Sequence, residues 1–591
     1  MACRLSSCLR TLAPLRCAPA ASLLILIGAV AAAQAAPPPS TGLEAADAGG
    51  GAGLTGAAEG GHALRPRSYG PPGRTPGVPT DQELEAAGAV IGKVVIDNQN
   101  IFDLDNPKDN TKLFRLADRL HPVTRASVIR RQLLFKTGER FSHRLIEESE
   151  RILRGDNYFY DAWIRAIDYK DGKVDLRVTT RDVWTLNPGF NFGRSGGKNS
   201  VGVQLEEINL AGTGTDLKLS HSSDVDRTSN QVEVRSNHAF GSWVAYDANY
   251  ANLSDGRLRE LTVQQPFYSL ETRWALGGYV IADEQTDSLW DRSQVIDKFQ
   301  DQHNGASLFG GWSTGLRNGW VQRVSTGLTY DEHRFAPVST WTGVPLVPED
   351  RRFAYPWVQY DLIQDDYLKL FNHDQIARTE DFYIGTSASV RVGWAQRAFG
   401  SSSDAAIFQG SASRGFLDGG STLLLAADFA GRYSGGTLQN TIVDASVRYY
   451  VEQSKNWLFF TTLSGTKGWH LDLDDQILLG GDNGLRGYPL RYQDGTARAL
   501  FTVEQRYFTD WYPFRLFRVG GAIFFDAGRV WGEVPLAQPN LGLLTDAGFG
   551  LRFGNARSAL GNVVHVDLAF PFRGDATIKR VQLLIQTEQR F

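Results

Sequence analysis

"VQLLIQTEQRF" (residues 581–591) closes the chain, and its alternation is the reading on which the fold turns. In an extended segment Val581, Leu583, Ile585, Thr587, Gln589 and Phe591 share one face. Gln582, Gln586, Glu588 and Arg590 share the other, with Leu584 as the exception. Strand side chains alternate sides with a period of two. An apolar face for lipid and a polar face for a lumen is what a transmembrane β-barrel requires. A soluble β-sandwich has the same period, so the segment must be read with its neighbours.

Those neighbours repeat the texture. From about Val183 to Phe591, about 400 residues carry strand-like runs separated by turns and no convincing helix. "WVAYDANYANL", "SASVRVGWAQR", "STLLLAADFAGRY" and "GGAIFFDAGRV" are examples, each near the length a tilted strand needs to cross a bilayer. The count is near twenty, about fifteen before "GGDNGLRGY" (480–488) and five after it. So long a strand pattern exceeds an ordinary sandwich, and a closed barrel is the β arrangement that leaves no unpaired backbone in hydrocarbon. The expected fold class is an all-β transmembrane barrel over 183–591. Phe591 resembles the C-terminal aromatic signal of bacterial outer-membrane proteins, which implies an assembly signal and an outer-membrane location.

The other end of the chain is consistent with export. Arg4, Arg10 and Arg16 precede the apolar run "SLLILIGAVAAA" (22–33), and Ala33-Gln34-Ala35 offers a small-x-small cleavage site. Residues 1–35 therefore read as a secretory signal peptide. All three cysteines, Cys3, Cys8 and Cys17, fall inside it, which removes disulfides, thiolate metal sites and cysteine nucleophiles from the expected mature chain. The formal charge of −4 becomes about −7 without the three arginines, and no basic block points to nucleic acid. Residues 36–87, rich in Gly, Ala and Pro, read as a disordered linker. Residues 88–182 read as a small soluble α+β domain of order β, α, α, β, β. Its helices fall in 125–135 and 142–155, the second capped by Ser142 with Leu145, Ser149 and Ile152 on one face. Its last two strands are joined by Asp171-Gly172, and Val174, Leu176 and Val178 share a face of the last one.

Four motifs carry a family resemblance. "EEINLAGTG" (206–214) contains Asn209, Gly212 and Gly214 in an Asn-Leu-x-Gly-x-Gly hairpin; "GGDNGLRGY" is a loop; "FFDAGRVW" (524–531) and "GFGLRF" (548–553) are strands. In this order they resemble the BamA/TamA superfamily of outer-membrane assembly factors and translocases. The resemblance covers roughly residues 88–591, and the small domain is similar to a single polypeptide-transport-associated (POTRA) domain. It implies a barrel of sixteen strands, and several POTRA domains, or two in secretion transporters, where one is found here. It also implies that the loop folds into the lumen. Arg486 would there be paired with Asp526, with Glu504 of "LFTVEQRYF" a second carboxylate, since an unpaired charge away from water is costly. Gly487 would allow close backbone approach, and Tyr488 would pack against the lumen wall.

The partners implied are outer-membrane lipid, client outer-membrane or secreted polypeptides, and a periplasmic accessory protein through the small domain. The function implied is insertion or translocation of polypeptides through a weakly closed seam between first and last strands. A passive structural barrel or narrow pore is the alternative, and a barrel-embedded Ser/His hydrolase a lesser one. No enzyme, catalytic residue, cofactor or metal is read. The ten histidines, among them His221, His238, His333, His470 and His565, lack metal-ligand spacing. "SGGKNS" (195–200) joins two strands and lacks the helix of a phosphate loop. Asp283-Glu284 and Asp472, Asp474 and Asp475 read as solvent-facing loop residues.

Overall fold

The computed structural model describes residues 73, 75–105, 107, 110–338, 346–376, 379–513, 517–532, 534–535, 538–555, 563–575 and 578–588. The expected signal peptide, most of the expected linker and Phe591 lie outside the described residues. The chain divides into two compact units, with the boundary near Val183.

The smaller unit holds α1 (Asp81–Ala86), β1 (Val90–Gln99), α2 (Lys112–Leu120), α3 (Ala126–Arg131), α4 (His143–Gly155), β2 (Phe159–Lys170) and β3 (Lys173–Asp182). Its sheet has the order β1-β3-β2, with β1 parallel and β2 antiparallel to β3. Asp171 and Gly172 both take positive φ, the conformation that suits a tight hairpin to strand twist. Val174, Leu176 and Val178 are fully buried. Two helices correct the sequence reading. Residues 81–86, taken as linker, form α1, because Thr80 and Glu83 make a capping box and Leu84 enters the core. In the long segment after β1, α2 forms behind a cap in which Thr111 Oγ1 accepts from Phe114 N at 3.2 Å. The buried face of α4 is Ile146, Ser149, Glu150 and Leu153, an i, i+3, i+4, i+7 stripe, with Leu145 and Ile152 to its sides. Glu150 belongs there because its carboxylate accepts from Ile164 N (2.7 Å) and Arg165 Nη1 (2.6 Å) on β2.

Twenty antiparallel strands close into a barrel in the larger unit, from Leu186–Ser195 to Gln582–Glu588. Fifteen precede residues 470–496 and five follow: Ala497–Phe508, Phe517–Trp531, Leu544–Asn555, Val563–Pro571 and Gln582–Glu588. The sixteen strands implied by the resemblance are thus replaced by twenty, the number that the runs in the sequence give. Among the described residues no helix is long and apolar enough to cross a membrane; the crossing is made by strands. Their outer positions are apolar and open, with Phe190 and Leu308 each 70% exposed. Along Trp457–Trp469 the two terminal tryptophans stand outward, as in the aromatic girdles of membrane barrels. At the last strand Leu583, like Val581 just before it, is exposed, while Leu584 is buried against Phe524 and Ala569.

Three neighbouring strands are longer than a bilayer needs, Trp274–Asp291, Gln294–Arg317 and Trp320–Pro337, of 18, 24 and 18 residues, as is Thr437–Ser454 at 18. On the middle one the outer positions Lys298, Gln300, Gln302 and Asn304 are polar, and the apolar band begins near Leu308. The strands therefore continue past the hydrocarbon. Asp283 and Glu284, read as loop residues, lie within the first of them because the hairpin ladder runs on to Asp291↔Gln294. The barrel has two rims. One carries the chain's entry and the end of the last strand; the opposite one carries the Gly196-Gly197 turn of the first hairpin and residues 470–496.

Candidate functional site

Residues 470–496 leave the strand Trp457–Trp469, fold inward and return as Ala497–Phe508. A short ladder, Ile477–Leu479 with Gln493–Gly495, holds the base of this loop. Leu479, Leu485, Tyr488 and Tyr492 bury themselves against Leu500, Val530 and Leu544 of the barrel wall. Aspartates 472, 474 and 475, read as solvent-facing, are in fact paired. Arg432 grips Asp472 (2.8 and 2.9 Å), Arg351 grips Asp474 (2.7 and 3.0 Å), and Asn440 Nδ2 donates to Asp475. The loop's inward course places these carboxylates against lumen-wall arginines.

Arg486 sits at the centre. Its Nε and Nη2 donate to Asp526 at 2.7 and 2.9 Å, and Nη1 donates to Glu504 at 2.7 Å. Asp567 lies 3.7 Å from Nη1, and the guanidinium carbon stands 3.4 Å from the Phe524 ring centroid. A planar fork between two carboxylates and an aromatic face uses the geometry that distinguishes Arg from Lys. Burial works against its charge, yet Asp526 and Glu504 outweigh that and hold the guanidinium well above its ordinary range. Phe524 and Asp526 are two apart on Phe517–Trp531, so both face the lumen while Phe525 faces out. Thr502 sits directly across from Asp526 and donates to it at 2.8 Å.

Gly487 approaches the wall so closely that a Cβ there would lie 2.6 Å from the Asp546 Cβ. The buried Tyr488 hydroxyl lies 2.9 Å from the Thr545 carbonyl and 2.7 Å from that of Arg573, and accepts from Thr545 N at 3.1 Å. Asn209, Gly212 and Gly214 are on the other rim, away from Arg486. There the Asn209 Oδ1 accepts from Gly214 N at 2.7 Å, closing a turn in which both glycines take positive φ.

Several participants escaped the sequence reading. Arg506 Nε donates to the other oxygen of Glu504 at 2.9 Å, and Arg552 is bonded to Asp567. Arg506 Nη1 also reaches the carbonyl of His373 at 3.0 Å. His373 belongs to a hairpin, Tyr367–Phe371 with Thr379–Tyr383, that folds inward from the entry rim. The buried Ile376 at its tip packs among Tyr450, Leu458, Phe460, Phe508, Ala522 and Val563 of distant strands, and Tyr450 donates to Asp374 at 3.0 Å. Two inward elements from opposite rims thus meet the same carboxylate, through Arg486 on one side and Arg506 on the other. The parity of "LFTVEQRYF", which puts Thr502, Glu504 and Arg506 on one face, was the available signal; the hairpin left none.

The loop is also stitched to the start of the barrel. Ser195 Oγ donates to the Gly481 carbonyl at 2.7 Å, and Leu490 N donates to the Gly196 carbonyl at 3.3 Å. Arg491 holds Asp226 of the second hairpin turn on this rim at 2.6 and 2.7 Å. Residues 195–200, discounted as a phosphate loop, form this first hairpin turn. The first and last barrel strands meet differently: among the described residues one pair is in register, Ile585↔Arg194, whereas every other neighbouring pair shares at least seven. The histidines are not all scattered. His303 and His333 face each other across two neighbouring strands with Asp331 beside them, the one group among the described residues whose ligand atoms converge enough for a metal ion.

Residues 414–587 match the Omp85 superfamily domain, a span that contains the loop, Arg486 and all its carboxylate partners. Three of the solved structures that are similar to the chain illustrate the likeness. BamA from Haemophilus ducreyi lacking POTRA domains 1–3 is 14% identical, with 84% of each chain covered and a TM-score of 0.38. CdiB from Acinetobacter baumannii is 12% identical over 85% of this chain and 73% of that one, TM-score 0.38. CdiB from Escherichia coli is 10% identical over 84% and 76%, TM-score 0.41. No curated protein sequence matches the chain.

Proposed function

We propose that this outer-membrane barrel, whose residues 414–587 form an Omp85 superfamily domain, assists the insertion or translocation of client polypeptides at the outer membrane. The observation that carries the reading is the seam. With Ile585↔Arg194 the single registered pair among the described residues, the first and last strands offer backbone edges to which a client strand can add by its own main chain. The loop that grips Ser195 and Gly196 ties the first strand to the Arg486 cluster, so the seam and the cluster can move together.

The smaller unit is read as POTRA-like and periplasmic, with client or accessory-protein contact as its task. The exposed Leu113, Leu116 and Leu120, spaced along one side of α2, support a protein contact there. Phe591 is read as an assembly signal, and deleting it should lower the amount of heat-modifiable barrel in outer-membrane fractions. A passive barrel is the second reading; the loop and the hairpin that fold into the lumen weigh against a wide pore. No catalytic role is proposed. The test is depletion of the protein followed by quantitative comparison of envelope proteins. Loss of particular outer-membrane or secreted proteins is expected; an unchanged envelope overturns the reading.

A further inference from the structure

Where the two long strands Gln294–Arg317 and Trp320–Pro337 leave the apolar band, their lumen faces carry Asp301, His303, Asp331 and His333. Asp301, His303 and His333 are 0, 4 and 1% exposed and Asp331 is 8% exposed. His303 Nε2 is 2.8 Å from Asp331 Oδ1, and His333 Nε2 is 3.8 Å from the same oxygen. The two imidazoles stack with centroids 4.2 Å apart, and the three ligand atoms lie within 4.8 Å of one another. Asp301 accepts from His333 Nδ1 at 3.1 Å.

From this geometry we propose that His303, His333 and Asp331 bind one divalent late-transition cation, Zn²⁺ being the probe, with Asp301 as a positioning residue. Four ligands around zinc at about 2.0–2.1 Å stand about 3.3 Å apart, and the distances of 2.8 and 3.8 Å bracket that spacing. Asp301 accepts from His333 Nδ1, the arrangement by which a carboxylate behind a histidine orients it for a metal, and the parallel rings must each turn about the Cβ–Cγ bond to put one ion in both ring planes. Two imidazoles with a carboxylate select zinc-like ions over Ca²⁺ or Mg²⁺, which prefer all-oxygen shells. Two His–Asp pairs that each hold a proton would explain the same contacts, so the two explanations must be separated by experiment.

A β-bulge aligns the site. Near the turn the ladder runs Arg317↔Trp320 and Leu316↔Val321, but above Thr314 and Gly315 it runs Ser313↔Arg323. The extra residue, with Gly315 at φ +65°, shifts the register by one and brings His303 opposite His333. Without it, His303 would stand opposite Arg334. The bound ion would clasp the two strands where lipid no longer supports them.

The test uses the full chain, folded in detergent, stripped with a chelator and titrated with Zn²⁺ at pH 7.5 against a chromophoric competitor. One Zn²⁺ per chain is expected. His303→Gln keeps an amide that can donate to Asp331 but is a poor ligand, so affinity should fall by about 100-fold or more while the heat-modifiable barrel persists. His333→Gln should do the same. Asp301→Asn should weaken binding by about 10- to 100-fold. His221→Gln, at an exposed hydrogen-bonded histidine elsewhere in the barrel, should change nothing. Co²⁺ in place of Zn²⁺ should give visible absorption bands that His303→Gln abolishes. Absence of stoichiometric binding at micromolar Zn²⁺, or equal affinity in His303→Gln, overturns the proposal and leaves two protonated His–Asp pairs.

Discussion

Ile585 on the last strand is in register with Arg194 on the first, and among the described residues nothing else in the ladder joins those two strands. A covalent lock here is a direct test of the seam. Every cysteine of the chain lies in the first 17 residues, so Arg194→Cys with Ile585→Cys adds the only thiols of the expected mature protein. Oxidation should form the bridge and stop client insertion with the barrel intact, and a reductant should restore it. Full activity in the oxidised double variant would remove seam opening from the mechanism.

Arg486 bridges Asp526 and Glu504 across the loop–wall interface. Arg486→Ala leaves those carboxylates buried without their cation, a loss typically of about 3–5 kcal/mol. The loop should lift before the barrel unfolds, and protease cleavage within 480–495 should rise. In a double-mutant cycle with Asp526→Ala the two effects should be strongly non-additive. Strict additivity would mean that the pair carries no coupling.

Gly196 and Gly197 share the first hairpin turn and both take positive φ, so alanine strains either. They differ in what a Cβ would meet: at Gly196 it runs into the Leu490 backbone, while at Gly197 the nearest atom is Gln582 Oε1 at 4.0 Å. Gly196→Ala should therefore expose the loop to protease and Gly197→Ala should not. Equal exposure in both would show that strain in the turn, and not the turn–loop contact, decides the loop's position.

In the smaller unit the His143 Nδ1 lies 3.0 Å from Asp81, linking α1 to α4. That hydrogen bond, with Glu147 and Asp81 charges nearby, raises the imidazole pKa although burial opposes it. For a histidine raised on folding, the added stability is complete below the unfolded pKa of about 6.5 and is lost as pH climbs through the folded value. A fragment covering residues 75–183 should give a folded circular dichroism spectrum, and its thermal midpoint should fall as pH rises from 6 to 8. His143→Gln should flatten that slope; an unaltered slope would assign it to another group.

The strand pattern was legible because a barrel wall imposes a period of two on every crossing, and each run carries its own lipid face and lumen face. That local rule gave fifteen runs before the loop and five after, where analogy with relatives implied sixteen in all. Arg486, Asp526 and Glu504 came forward by another route, the resemblance of "GGDNGLRGY" and "FFDAGRVW" to family motifs. What periodicity by itself could not determine were meetings between distant residues. Asp526 is 40 residues from Arg486, and Arg506 reaches a hairpin 133 residues away, so those contacts exist only once the wall is curved and closed. The histidines make the point most sharply. Thirty residues separate His303 from His333, and reading back from the Asn318-Gly319 turn pairs His303 with the wrong partner. A single bulge at Thr314-Gly315 moves the register by one residue and brings two imidazoles and a carboxylate together. Periodicity assigns each side chain to a face; only the closed ladder, with its bulges, decides which residue stands opposite.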